Sequence, residues 1–168
     1  MTEQTAVIAD FDGALCDVSS VRHHVLSQPK DFELFHLEAR GCPPHRESLD
    51  WCERAVADGH VVIVATGRKE KFRGITVSWL NEHMPVPYHG PIMRADDDGR
   101  PDTEVKTDMY DHLVTQLGFR IVAAMDDAPH IVELWRSFGI PTYHVPGWDH
   151  WVDAQAKGGN LEMKGDYR

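Results

Sequence analysis

Three short apolar runs constrain the fold of this chain more than any other feature. They are Ala6-Val7-Ile8-Ala9, Val61-Val62-Ile63-Val64-Ala65 and Ile121-Val122-Ala123-Ala124-Met125, and they stop at Asp10, Thr66 and Asp126. Runs that are β-branched and apolar at every position suit strands covered on both faces, as in a parallel sheet. A fourth strand is expected over residues 142–145. Between the runs the period turns helical. Leu49, Cys52 and Ala55 mark a helix over 47–58, stopped by Gly59; Phe72, Ile75, Trp79 and Leu80 mark another over 70–83. Tyr110, Leu113, Val114 and Leu117 repeat the spacing, with Gly118 at the C′ position. Pro129 suits a first helical turn, and Ile131, Leu134, Trp135 and Phe138 follow as a stripe. Strands alternating with helices imply right-handed crossovers and an α/β fold: a three-layer, doubly wound, mainly parallel sheet.

The length of 168 residues fits one domain. Periodicity persists to residue 147 and is lost over 148–168, which reads as a C-terminal tail. Lysine plus arginine is 17 and aspartate plus glutamate 27, so the net charge is 17 − 27 = −10. That charge disfavours broad binding to nucleic acid but allows a local basic pocket for one phosphorylated end. No apolar run approaches the ~20 residues of a membrane span. A polar N-terminus without a signal sequence and an odd count of 3 cysteines point to reduced thiols and a cytoplasmic setting. Cys42, His45 and Cys52 lie close in sequence, but no paired CxxC or HxxxH frame supports zinc.

In an open parallel sheet the carboxyl ends of strands form the ligand edge. Asp10, Asp12, Asp126 and Asp127 would therefore meet there, as a cluster that repels itself unless a divalent cation binds. Oxygen-only ligands suit Mg²⁺. Asp10 at a strand end can attack phosphorus, and Asp12, two residues on, can reach the leaving oxygen once Gly13 turns the chain. Thr66 offers a hydroxyl and Lys106 an ammonium group to the phosphoryl oxygens. DxDG, Thr, Lys and Asp-Asp, each set by an apolar run or a helix and in this order, form the signal.

These residues resemble the four motifs of the haloacid dehalogenase-like hydrolases: Asp10-Phe11-Asp12-Gly13, then Thr66, Lys106 and Asp126-Asp127. The resemblance implies Asp10 as nucleophile and Asp12 as general acid/base, with Thr66 and Lys106 on the phosphoryl group. It also implies Mg²⁺ held by the Asp10 side chain, the Asp12 main-chain carbonyl and Asp126-Asp127. More narrowly, the chain is similar over residues 5–147 to the 3′-phosphatase domain of phage polynucleotide kinase/phosphatases. Thr66-Gly67-Arg68, Met93-Arg94, Arg100-Pro101-Asp102 and Val132-Glu133-Leu134-Trp135-Arg136 carry that similarity. It makes Gly67, Arg68 and Arg94 candidate substrate contacts, Arg100 a weaker one, and Asp102 a structural partner for a basic neighbour. Ala14 stands where the family usually has Thr. No GxxxxGK[ST] loop occurs, so no kinase activity is expected.

The superfamily inserts its cap after the first motif, here about residues 17–48, with Phe32, Phe35 and His36. A cap that short is expected to leave an open mouth, suited to a phosphorylated nucleic-acid end and also admitting a nucleotide. Homo-oligomerisation could cover such a site. The expectation is removal of 3′-phosphates from polynucleotide ends, as in nucleic-acid repair. The alternatives are a phosphatase of mononucleotides or other small esters, and a binding module without turnover.

Overall fold

The computed structural model describes residues 2–147; the expected tail, 148–168, lies outside them. Five parallel strands form one sheet in the order β3-β2-β1-β4-β5. They are β1 Thr5–Ala9, β2 Val61–Lys69, β3 His89–Arg94, β4 Arg120–Asp126 and β5 Thr142–His144. The helices are α1 His23–Leu26, α2 Phe32–Ala39, α3 Arg46–Ala57, α4 Arg73–His83, α5 Asp102–Asp111 and α6 Pro129–Ser137.

Alternation along the strands divides the core between the two faces. Val7, Ala9, Val62, Val64 and Met125 pack with Leu49 and Cys52 of α3 and Trp79 and Leu80 of α4. Ala6, Ile8, Ile63, Ala65 and Ala124 pack on the other face with Val105 and Met109 of α5 and Ile131 and Trp135 of α6. Apolar residues at every strand position thus serve two cores at once, each large buried side chain contributing ~1.5–3 kcal/mol.

The structure departs from the sequence expectations in several places. Strand β3 went unforeseen because Gly90 and Pro91 break its pattern; an edge strand tolerates both. The stretch 70–83 opens with a 3₁₀ turn, Glu70–Phe72, before α4. The helix expected around 110–117 starts earlier, at Asp102, and runs into a wide π turn, His112–Gln116. The changed phase leaves Leu117 54% exposed, and the buried stripe is Val105, Met109 and Leu113. Phe138 lies just past α6 and stacks on Tyr110, with ring centres 4.9 Å apart. Gly59 and Gly118 do hold positive φ, at 87° and 72°, as helix stops.

The insertion carries α1 and α2, while α3 belongs to the main body from Arg46 on. Val18, Val21, Val25, Phe35 and Ala39 of the insertion join the same core as β1 and β2. Cys16, Cys42 and Cys52 are buried free thiols, and none belongs to a cluster able to hold a metal among the described residues.

Candidate active site

The chain leaves β1 towards β2 and β3 on one side and later returns to build β4 and β5 on the other. The loops after β1 and β4 therefore diverge, opening a crevice at the carboxyl ends of these two strands. Asp10 is the first residue past β1, and its amide donates to the Met125 carbonyl at 3.0 Å. Asp126 ends β4. Strand pairing thus sets the two carboxylates beside each other, and Asp127 joins them; one oxygen from each of Asp10, Asp126 and Asp127 lies within 4.8 Å of the others.

Lys106, on the buried face of α5, crosses to this cluster. Its Nζ donates to Asp10 Oδ1 at 2.9 Å and to the Ala65 carbonyl at 2.7 Å, and stands 3.6 Å from Asp126 Oδ2. Asp126 Oδ1 accepts from the Ala128 amide at 3.0 Å. Arg22 Nη2, from the insertion, donates to Asp127 Oδ2 at 3.3 Å. Three carboxylates against the two cations Lys106 and Arg22 leave −3 + 2 = −1 in a buried space. An all-oxygen donor set with residual negative charge fits a hard divalent cation such as Mg²⁺.

Gly13 makes this packing feasible. Its φ is 78°, and a Cβ there would stand 2.0 Å from Asp127 Oδ2 and 2.9 Å from Arg22 Nη2. Its amide donates to the Cys16 carbonyl at 2.9 Å, closing the turn that follows Asp12. Ala14, in place of the family's usual Thr, is fully buried in the apolar core.

Asp12 is held by Arg68: Nε donates to Oδ2 at 2.8 Å and Nη2 to Oδ1 at 2.7 Å. Arg68 also donates to Thr76 Oγ1 at 3.1 Å, and its guanidinium lies 4.5 Å from the Phe11 ring centre. His36 Nδ1 stands 3.7 Å from Asp12 Oδ2. Burial, and then the Asp12 charge, push the neighbouring Cys16 thiol above its ordinary range.

Strand β2 does not end at Thr66 but continues to Lys69. Between the pairs Ala65–Ile92 and Lys69–Arg94 it takes four steps against two of β3. Arg68 lies within this bulge and reaches Asp12 from it. Thr66 Oγ1 accepts from the Arg68 amide at 3.2 Å.

Arg94, expected to contact substrate phosphate, is committed elsewhere. Its Nε donates to the Gly67 carbonyl at 3.0 Å, its Nη1 to the Asp98 and Arg100 carbonyls, and its Nη2 to Asp102. Arg94 and Asp102 are both buried, so they form a clamp between β3, the bulge and the start of α5. Asp102 is thus the structural partner expected of it. Arg100 is exposed and pairs with Asp98 and Asp108, and its hydrogen bonds hold the Asp98 carboxyl down at about 2.

Sequence reasoning missed Arg22 altogether and noted His36 only as a residue of the insertion. The segment carrying them has no repeat to give its side chains a direction. Through Arg22 and His36 the short insertion reaches two of the site's carboxylates.

The fold recurs in solved proteins. A chain of a Pnkp1/Rnl/Hen1 RNA repair complex superposes with a TM-score of 0.67 at 22% identity, over 84% of this chain and 42% of that one. A class C acid phosphatase from Bacillus anthracis superposes with a TM-score of 0.63 at 12% identity, over 97% of this chain and 75% of that one. A protein described as a bifunctional polynucleotide kinase/RNA ligase, from Autographa californica nuclear polyhedrosis virus, is 24% identical over 140 residues. That match covers 82% of this chain but 18% of the relative, so the chain spans under a fifth of the curated relative's length. The family model for the polynucleotide kinase PNKP phosphatase domain matches residues 4–149. The chain therefore belongs to the polynucleotide kinase PNKP phosphatase-domain family, within the haloacid dehalogenase-like hydrolases.

Proposed function

We propose that this chain is a Mg²⁺-dependent phosphomonoesterase that removes 3′-phosphates from polynucleotide ends through an aspartyl-phosphate on Asp10. The observation that carries this reading is the meeting of Asp10, Lys106, Asp126 and Asp127 at the switch point, with Asp12 two residues beyond the nucleophile.

In the first half-reaction an Asp10 oxygen attacks phosphorus, the bond from phosphorus to the ester oxygen breaks, and protonated Asp12 gives its proton to that leaving oxygen. In the second, the Asp12 carboxylate takes a proton from water. The water oxygen attacks the same phosphorus, releasing inorganic phosphate and restoring Asp10. Both Asp12 oxygens accept from Arg68 in this structure, the arrangement of the base form. For the acid half, Arg68 turns from Asp12 to the arriving phosphate oxygens. Lys106 aims Asp10 and screens its charge from the phosphate, and Thr66 supplies a further donor. The Asp10, Asp126 and Asp127 side chains and the Asp12 main-chain carbonyl would hold Mg²⁺, which would supply charge neutralisation for the phosphoryl oxygens.

The test is phosphate release with Mg²⁺ from 3′- and 5′-phosphorylated oligonucleotides and mononucleotides. Faster release from 3′-phosphorylated oligonucleotides is expected. Equal release from mononucleotides of either kind makes it a general small-ester phosphatase. No release from any ester makes it a binding module.

A further inference from the structure

Beside the site lies a cavity of about 380 Å³, between the start of α2 and the end of β2, lined by Lys30, Lys69, Lys71, Phe32, Phe72 and His36. Two features tie it to the chemistry. His36 lines the cavity and also stands 3.7 Å from Asp12 Oδ2. Asp12 is the group assigned to the leaving oxygen, so the cavity lies on the leaving-group side, where the rest of the substrate must go. The walls also have two different characters. His36 lies with its ring centre 4.7 Å from that of Phe72 and 6.2 Å from that of Phe32, tilted at 56° and 33° to them; His36 and Phe72 are buried, and half-buried Phe32 is the more open aromatic wall of the cavity. The lysines bring positive charge to a chain whose net charge is −10.

Two carboxylates also line the cavity, leaving it at 3 − 2 = +1. Asp31 is engaged as the N-cap of α2, accepting from the Leu34 amide at 2.9 Å. Glu33 meets Lys71 at 3.8 Å with both side chains largely in water, a contact weak enough for a phosphate to displace. Lys71 also lies 5.0 Å from the Phe72 ring centre, which keeps its ammonium at the aromatic wall.

We propose that this cavity is the subsite for the nucleoside that bears the 3′-phosphate: its base lies against the aromatic wall at Phe32, and Lys69 and Lys71 bind the phosphate on its 5′ side. This rests on the 3′-phosphatase reading above and gives it a physical origin. A 3′-mononucleotide has the same scissile ester but no 5′ phosphate, so it forfeits the lysines.

The test compares thymidine 3′,5′-bisphosphate with thymidine 3′-monophosphate as substrates in the presence of Mg²⁺. Wild type should show a kcat/KM about tenfold higher on the bisphosphate, expressed in KM and shrinking as salt is raised. In the Lys69→Ala/Lys71→Ala variant the ratio should fall towards one, and Lys69→Arg/Lys71→Arg should keep it. A wild-type ratio near one, or a ratio that the alanine variant leaves intact, overturns the subsite while leaving the 3′-phosphatase reading standing. If neither the thymidine esters nor a 3′-phosphorylated oligonucleotide is hydrolysed while p-nitrophenyl phosphate is, the 3′-phosphatase reading itself has failed, and the subsite falls with it.

Discussion

At the scale of single residues, Asp10 and Gly13 carry the most specific consequences. Asn at position 10 still offers Oδ1 to Lys106, so the fold should survive Asp10→Asn. An amide cannot form the acyl-phosphate, so phosphate release should fall at least about a thousandfold with an unchanged circular dichroism spectrum. Gly13→Ala places a methyl group on the Asp127 carboxylate in a left-handed backbone. We expect a loss of about 1–3 kcal/mol in urea unfolding, and weaker Mg²⁺ dependence because Asp127 must shift. Cys52 sets an alkaline limit. Burial, with a smaller push from the Glu53 charge, raises its thiol from 9.0 to about 12. A folded-state value above the unfolded one favours the native state fully below about pH 9 and loses that contribution as pH rises towards 12. Cys52→Ala or Cys52→Ser should lessen the fall in Tm between pH 9 and 11.

At the scale of elements, the clamp of Arg94 and Asp102 decides how β3, the β2 bulge and α5 meet. Arg94→Ala leaves a buried carboxylate and three carbonyls without their donor, at a cost of about 3–5 kcal/mol by chemical denaturation. Arg94→Lys should rescue little, since one ammonium cannot replace a guanidinium that bonds in several directions. Were Arg94 a phosphate ligand instead, Arg94→Lys would raise KM and spare stability. Strands β1, β2 and β4 were legible because their β-branched runs are apolar throughout. Strand β3 was not, since its pairing comes from β2 and not from its own pattern. The bulge also escaped notice: Thr66-Gly67-Arg68 looks like the end of a strand until β3 is laid beside it.

At the scale of the molecule, a cation held by the buried cluster of Asp10, Asp126 and Asp127 would couple metal binding to folding. A cation that binds only the folded cluster stabilises it by RT ln(1 + [L]/Kd), about 2.7 kcal/mol at a hundredfold excess over Kd. Mg²⁺ should therefore raise Tm and EDTA should cancel the rise; Asp126→Asn/Asp127→Asn should abolish the response. A Tm unaffected by Mg²⁺ in wild type would count against the metal assignment.

The sequence by itself picked out the residues proposed for the chemistry and the edge of the sheet at which they meet. Asp10, Thr66 and Asp126 stand at or near the ends of apolar runs, and a parallel sheet places all such ends at one edge. What those side chains touch was decided by tertiary structure alone. Arg68 binds Asp12, Arg94 turns away to Asp102, Arg22 and His36 reach in from the insertion, and Lys69 and Lys71 line a cavity beside Asp12. These partners lie far apart in sequence or on irregular backbone. No periodicity encodes where an arginine or lysine side chain points; that follows from which oxygen the packed chain places within its reach.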